Sequence, residues 1–241
     1  MTPLTLILTF LAITHGFPAF QDPTCLLPAS IQNGSLYTGL EPSTPGIRPG
    51  LSNSSTSSNN FINFCSPYTL TNGQQNPSGS CNPIPLGRIP ASDKMVSSLI
   101  TYPSASTPVP ALKTFNVTIL TRGLSAGYLV NPSTNYYSAP QDLDEHTGEI
   151  RGHCHVTIQS LGDGKEVLDP RDFVFFKGVD DAGAEKGNDG VRELRAEIKG
   201  GLPHGGYRVC SMAAAGNHQP VVMPVAQRGA QDDCVRFVVG A

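Results

Sequence analysis

The chain has 241 residues, a formal net charge of −3, 15% charged residues, 25 Gly, 21 Pro and no Trp. An average soluble protein carries roughly 25% charged residues and about 12% Gly plus Pro, so this composition excludes a coiled coil or helical bundle. The acidic balance offers no basic surface for nucleic acid, which leaves a loop-rich β protein.

Residues 4–13 read LTLILTFLAI, an apolar run half the length needed to span a bilayer. It has the size of a secretory h-region, with Gly16 and Ala19 as small residues for cleavage. Residues 1–19 are therefore read as a signal peptide, giving an extracellular, secreted protein with no membrane anchor. Residues 20–111 are expected to form an irregular arm. Its first part holds few charges (Asp22, Glu41, Arg48 and Arg88 up to position 90), and 52–60 is the run SNSSTSSNN. Such a run has nothing to bury against its ordering entropy, so it is expected to be mobile. In 61–110, dense Pro and Gly argue for loops pinned by Cys65 and Cys81. Only 92–99, with Ser92 as a cap, carries a helix signal.

Two further features agree with secretion. The sequons at Asn33, Asn53 and Asn116 are open to glycosylation, whereas Asn131 precedes Pro. The cysteines at 25, 65, 81, 154, 210 and 234 are even in number and form no CxxC pair, which favours disulfides over a zinc ribbon. Full pairing has fifteen solutions, among which Cys210 with Cys234, and then Cys65 with Cys81, are expected.

Period-2 alternation begins near 112. Segment 114–121 turns Phe115, Val117 and Ile119 to one face and Asn116 to the other. Segment 149–159 turns Ile150, Cys154, Val156 and Ile158 inward, and Arg151, His153, His155 and Thr157 outward. Segment 172–179, DFVFFKGV, is apolar on both faces and reads as a central strand. Segments 192–199, 206–214 and 234–239, with 128–130 as a short strand, bring the number to seven. This predicts an all-β, immunoglobulin-like antiparallel β-sandwich over 112–241. The phrase GLPHGGYRVC, with Tyr207 three residues before Cys210, is close to the tyrosine habit of that fold.

His153 and His155 share a strand face about 7 Å apart, so their rings can converge on zinc or copper. Cys154 points the other way and cannot join them. A third ligand would have to come from His146, His204 or His218. The plainer reading is a polar strand face under a loop, with the rings hydrogen-bonded to His218, Gln227 and Arg228; on it, no metal and no cofactor are expected. The stretch 215–233 is long and polar, suited to binding polysaccharide, or else to satisfying its own backbone through Arg228 with Asp232 or Asp233. Carboxylates at Asp142, Asp144, Glu145, Asp180 and Asp181 lie in charged loops. No nucleophile elbow, P-loop or dinucleotide fingerprint is present.

The phrases FINFC, NPSTNYYSAPQDL, GEIRGHCHVTIQSL, DPRDFVFFKG and YRVCSMAAAGNHQPVVMPVAQRGAQDDCVRF resemble a family of secreted fungal proteins, abundant in mushroom-forming fungi, whose members often carry the label "ribosomal protein S17". That label conflicts with an acidic, exported chain. The resemblance implies a fungal source and an extracellular setting, and supplies no reaction. HTGEIRG also resembles the repeat motif of chordin-type β domains. The expectation is thus a secreted, glycosylated, non-catalytic fungal β-sandwich acting at the cell wall or surface, with cell-wall polysaccharide or a surface protein as partner. The rival readings are an extracellular metal-dependent enzyme using His153 and His155, and a carbohydrate-binding or adhesin module. Convergence of a third imidazole would favour the metalloenzyme.

Overall fold

In the computed structural model, the described residues are 26, 28–38, 41–44, 56–74, 78, 81–132, 136–137, 139–187 and 189–240. The expected signal peptide, Cys25 and the Asn53 sequon lie outside them. The chain divides into two compact units, Met1–Asn63 and Phe64–Ala241. The described part of the first unit holds two short 3₁₀ turns, Pro28–Ser30 and Asn33–Leu36. Residues 58–60 form a turn, in which Asn60 Oδ1 accepts the Gln32 N–H at 2.9 Å.

The second unit is all β. Its strands are β1 (Ser97–Tyr102), β2 (Val109–Pro110), β3 (Phe115–Arg122), β4 (Leu124–Ser125), β5 (Ile150–Ser160), β6 (Phe175–Val179), β7 (Ala184–Lys186), β8 (Val191–Ile198), β9 (Gly205–Ala215) and β10 (Cys234–Gly240). One sheet has the order β1-β3-β8-β7; the other runs β2-β10-β9-β5-β4, with β6 also beside β5. With β1, β3, β5, β6, β7, β8, β9 and β10 as strands A, B, C, C′, D, E, F and G, the sheets are A-B-E-D and G-F-C-C′, the immunoglobulin-like order. Two short pairs, β10 with β2 and β4 with β5, are parallel.

The alternation read from sequence places the core. Val117, Ile119, Val156, Ile158, Leu194, Ala196, Val209 and Val239 are wholly buried. Fully burying each Val, Leu or Ile stabilises by about 1.5–3 kcal/mol. Phe237 stacks on Tyr207 at 5.7 Å and meets Phe115 edge-on at 6.3 Å, joining the two sheets where a Trp is lacking. Tyr207 donates its hydroxyl to Pro203 O at 2.9 Å, fastening the turn before β9 as a tyrosine corner does. Cys65–Cys81 and Cys210–Cys234 are bonded, and Cys154 is a buried free thiol.

Several expectations need correction. The sandwich begins upstream of 112: β1 and β2 lie in the stretch read as arm. The helix signal at 92–99 yields only a 3₁₀ turn at Ser92–Lys94, because the SSLITY that follows pairs along β3. Residues 128–130 form no strand; β4 precedes them. The apolar run 172–179 is not central. Its strand β6 pairs with β5 alone, and Phe173, Val174 and Phe176 are about half exposed.

Candidate metal centre

β5 and β9 pair with His153 opposite Ala214 and His155 opposite Met212. The side-chain period of two puts both imidazoles on the outer face of the sheet, with Cys154 turned into the core. Burial pushes the Cys154 thiol up to about 12, so it stays protonated. β9 ends in a tight reversal, in which His218 N–H donates to Ala215 O and Ala215 N–H to Gln219 O. His218 sits there at φ 72°, a left-handed conformation that non-glycine residues rarely adopt. The reversal lays its ring over His153.

Three ring nitrogens converge. His153 Nε2 is 3.2 Å from His155 Nε2 and 3.1 Å from His218 Nδ1, and ligating atoms of all three lie within 4.8 Å of one another. Three nitrogens bound at about 2.0–2.1 Å around one tetrahedral ion are about 3.3–3.4 Å apart, close to both distances. Backbone carbonyls set the tautomers. His153 Nδ1 is 2.9 Å from Tyr128 O, and His218 Nε2 is 2.8 Å from Val130 O. A carbonyl only accepts, so each of these nitrogens carries the proton. When both rings are neutral, the opposite nitrogens, His153 Nε2 and His218 Nδ1, face each other as bare lone pairs at 3.1 Å. A hydrogen bond between them has no proton to use, whereas a cation between them satisfies both. Donation of the far ring N–H to a carbonyl is also what orients histidine ligands in metal sites.

Burial, more than any other cause, pushes His153 down to about 4, against the Tyr128 carbonyl, which raises it. His155 is likewise pushed down to about 4 by burial and the neighbouring His218, against a backbone hydrogen bond to Met212. Both are neutral at pH 7 and therefore able to ligate. Gly178 of β6 lies opposite His155; a Cβ there would come within 2.8 Å of Leu129 Cδ1 and 3.5 Å of His155 Cδ2. The cluster borders a cavity of about 700 Å³ lined by His155, His218, Tyr136, Tyr137, Phe176 and Met212, among others.

Strands β5, β6 and β9 and the connections after β4 and after β9 line the cavity, and buried amides stitch the two connections together. Gln141, 1% exposed, donates to Arg88 O and Val222 O and accepts the Val222 N–H. Gln219 donates to Ala139 O. Tyr128 N–H reaches Gly152 O, Val130 N–H reaches Gly216 O, and Tyr137 N–H reaches Asn217 O. These backbone contacts hold the two orienting carbonyls in place.

Of the residues singled out from sequence, His153, His155 and His218 come together. Of the three candidates for a third ligand, His218 is the one that completes a three-nitrogen set, rather than serving only as the hydrogen-bond neighbour of the plainer reading. His146 and His204 stay outside that set. Gln227 and Arg228 do not line the cavity: Arg228 instead binds Val225 O and Gln231 within its own loop. Asp232 accepts from Ala213 N–H and Ser211, and Asp233 from Ile100 N–H, rather than pairing with Arg228. Asp142 pairs with Arg88, Asp144 caps the turn at His146 and Thr147, and Asp181 accepts from Gly183 N–H. Asp180 reaches the cavity. Asn116 is exposed on β3, and Asn33 opens a 3₁₀ turn.

No solved structure matches this chain. "Pathogenicity cluster 5 protein d" from the fungus Colletotrichum graminicola is 49% identical over 219 residues, covering 90% of this chain and 43% of that protein. The chain thus spans less than half the length of this relative, and neither this match nor the family match carries a ribosomal label. Residues 98–240, the sandwich almost from β1 to the end of β10, match the CLU5d N-terminal domain, and the chain belongs to that fungal family.

Proposed function

We propose that this is a secreted fungal protein whose sandwich holds a zinc or copper ion on His153 Nε2, His155 Nε2 and His218 Nδ1, with the remaining coordination position open to the cavity for a ligand. The observation that carries this reading is the pair of bare imidazole nitrogens at 3.1 Å, each fixed by a carbonyl behind its ring. Three histidines with an open position are the arrangement of catalytic rather than structural zinc sites. A bound ion would supply Lewis acidity to a ligand oxygen or water. Burial holds His153 and His155 neutral, and the Tyr128 and Val130 carbonyls orient the His153 and His218 rings. This favours the metal-dependent reading over a purely structural wall protein, and it retains the extracellular setting, which the two disulfides support.

The test is metal titration of untagged protein by calorimetry. One equivalent of zinc or copper should bind with a Kd below about 1 μM, and His218→Gly should abolish it. Binding that is unchanged in His218→Gly would refute the site.

A further inference from the structure

The cavity beside the cluster has a chemistry of its own. Successive rings along its wall are close to parallel. Tyr137 and Tyr136 stack at 4.0 Å and 20°, and Tyr136 faces His218 at 5.9 Å and 29°. His218 faces His155 at 5.6 Å and 29°, and His155 faces Phe176 at 5.2 Å and 29°. The result is a slipped ladder of five rings with two imidazoles in the middle. Phe176 is 48% exposed and also contacts the half-exposed Phe173, so neither ring is explained by the core. The other walls include Leu129, Pro132 and Met212, whose side chains offer no hydrogen-bond donor.

Resting on the metal reading above, we propose that this cavity takes a neutral, hydroxylated aromatic ring of the catechol kind, lying parallel to the Phe176–His155 wall with one oxygen directed at the three-nitrogen cluster. Four arguments select this class. A ladder of parallel rings accepts a flat ring by offset stacking. A pyranose presents hydroxyls all round and needs a matching set of amides and cations. Among the described residues lining the cavity there is no Asn, Gln, Lys or Arg. The carboxyl groups present, Asp180 and Asp232, accept hydroxyl protons and so suit a ligand that donates them. The volume of about 700 Å³ falls within the roughly 300–1,000 Å³ of small-molecule sites, room for one or two rings rather than a polymer.

The experiment is calorimetric titration of 4-methylcatechol into the zinc-loaded full chain, zinc being redox-silent, and separately into metal-free protein. Binding in the millimolar range or tighter is expected with zinc, with no heat from cellotetraose. Phe176→Ala should weaken 4-methylcatechol about tenfold while the variant still folds and binds one equivalent of zinc. Absence of catechol binding, an unchanged affinity in Phe176→Ala, or binding of cellotetraose in place of the diphenol overturns the proposal. Should zinc itself fail to bind, the metal reading falls. Phe176-dependent binding of the diphenol to metal-free protein would still support the ligand class, and its absence would remove that as well.

Discussion

His218 joins two properties that a substitution can separate. Its ring supplies a ligand nitrogen, and its backbone sits at φ 72°, where glycine carries no steric penalty. His218→Gly should therefore cost metal affinity at least about 100-fold, more than loss of an orienting partner costs. The metal-free protein should melt within a few degrees of the parent, as differential scanning calorimetry would show. A collapse of stability in step with affinity would mean that the histidine holds the loop rather than an ion. Protons compete with metal for the same nitrogens. With His153 and His155 pushed down to about 4, neither ring of the metal-free protein should take up a proton until pH falls toward 4, as an NMR titration would show; protonation of either centred on 6.5 would contradict the burial that depresses them. Asp232 shifts the other way. Burial, the main cause, raises its pKa against hydrogen bonds from Ala213 and Ser211. A raised folded pKa gives stability that is complete below the unfolded value and lost as pH rises through the folded one. Asp232→Asn keeps the acceptor and removes the buried charge, so it should melt higher than the parent at pH 7 and equally at pH 3. Equal shifts at both pH values would show that the charge is not the cause.

The strands position these residues with little tolerance. A Cβ at Gly152 of β5 would lie 2.0 Å from the Ala214 carbonyl oxygen, and backbone cannot yield as a side-chain tip can. Gly152→Ala should cost about 2–4 kcal/mol and shift His153, so stability by denaturant titration and metal affinity should fall together. The Cys210–Cys234 bond closes the connection that carries His218, with a sequence separation of 24. Loop-closure entropy makes such a bond worth about 3 kcal/mol; the double serine variant should lose roughly that amount in equilibrium unfolding, and full retention of stability would argue that the strand pairing suffices. At this scale the sequence was readable wherever one strand face is buried. β3, β5, β8 and β10 alternate as their residues do, and β5 thereby puts both histidines outward. β6 misled because Phe176 faces the cavity while Phe175 packs on the core, so its apolar residues serve two different surfaces. β1 misled because its Ser and Thr carry no hydrophobic period. The orienting carbonyls of Tyr128 and Val130 had no signature to read, since every residue has a carbonyl and only the chain path selects two of them. Gln141 was illegible for a related reason: the residues its side chain binds, Arg88 and Val222, sit more than 50 residues away.

Every ligand, both disulfides and both sheets lie within Phe64–Ala241. A chain beginning at Phe64 should therefore fold and retain the metal affinity of the full protein, as circular dichroism and calorimetry would show; an unfolded product would mean that the first unit stabilises the second. The site sits on the outer face of β5 beneath the connections after β4 and β9, and both connections emerge at one end of the sandwich, where this fold places its variable binding loops. The fold supplies a rigid strand and two loops, and the loops carry the chemistry.

The most direct test of the account is the metal content and affinity of untagged protein, produced under oxidising conditions and dialysed against zinc or copper at pH 7. One ion per chain is predicted, lost in His153→Ala, His155→Ala and His218→Gly and retained in Cys154→Ser. A folded, disulfide-bonded protein that binds neither ion at micromolar concentration would contradict it.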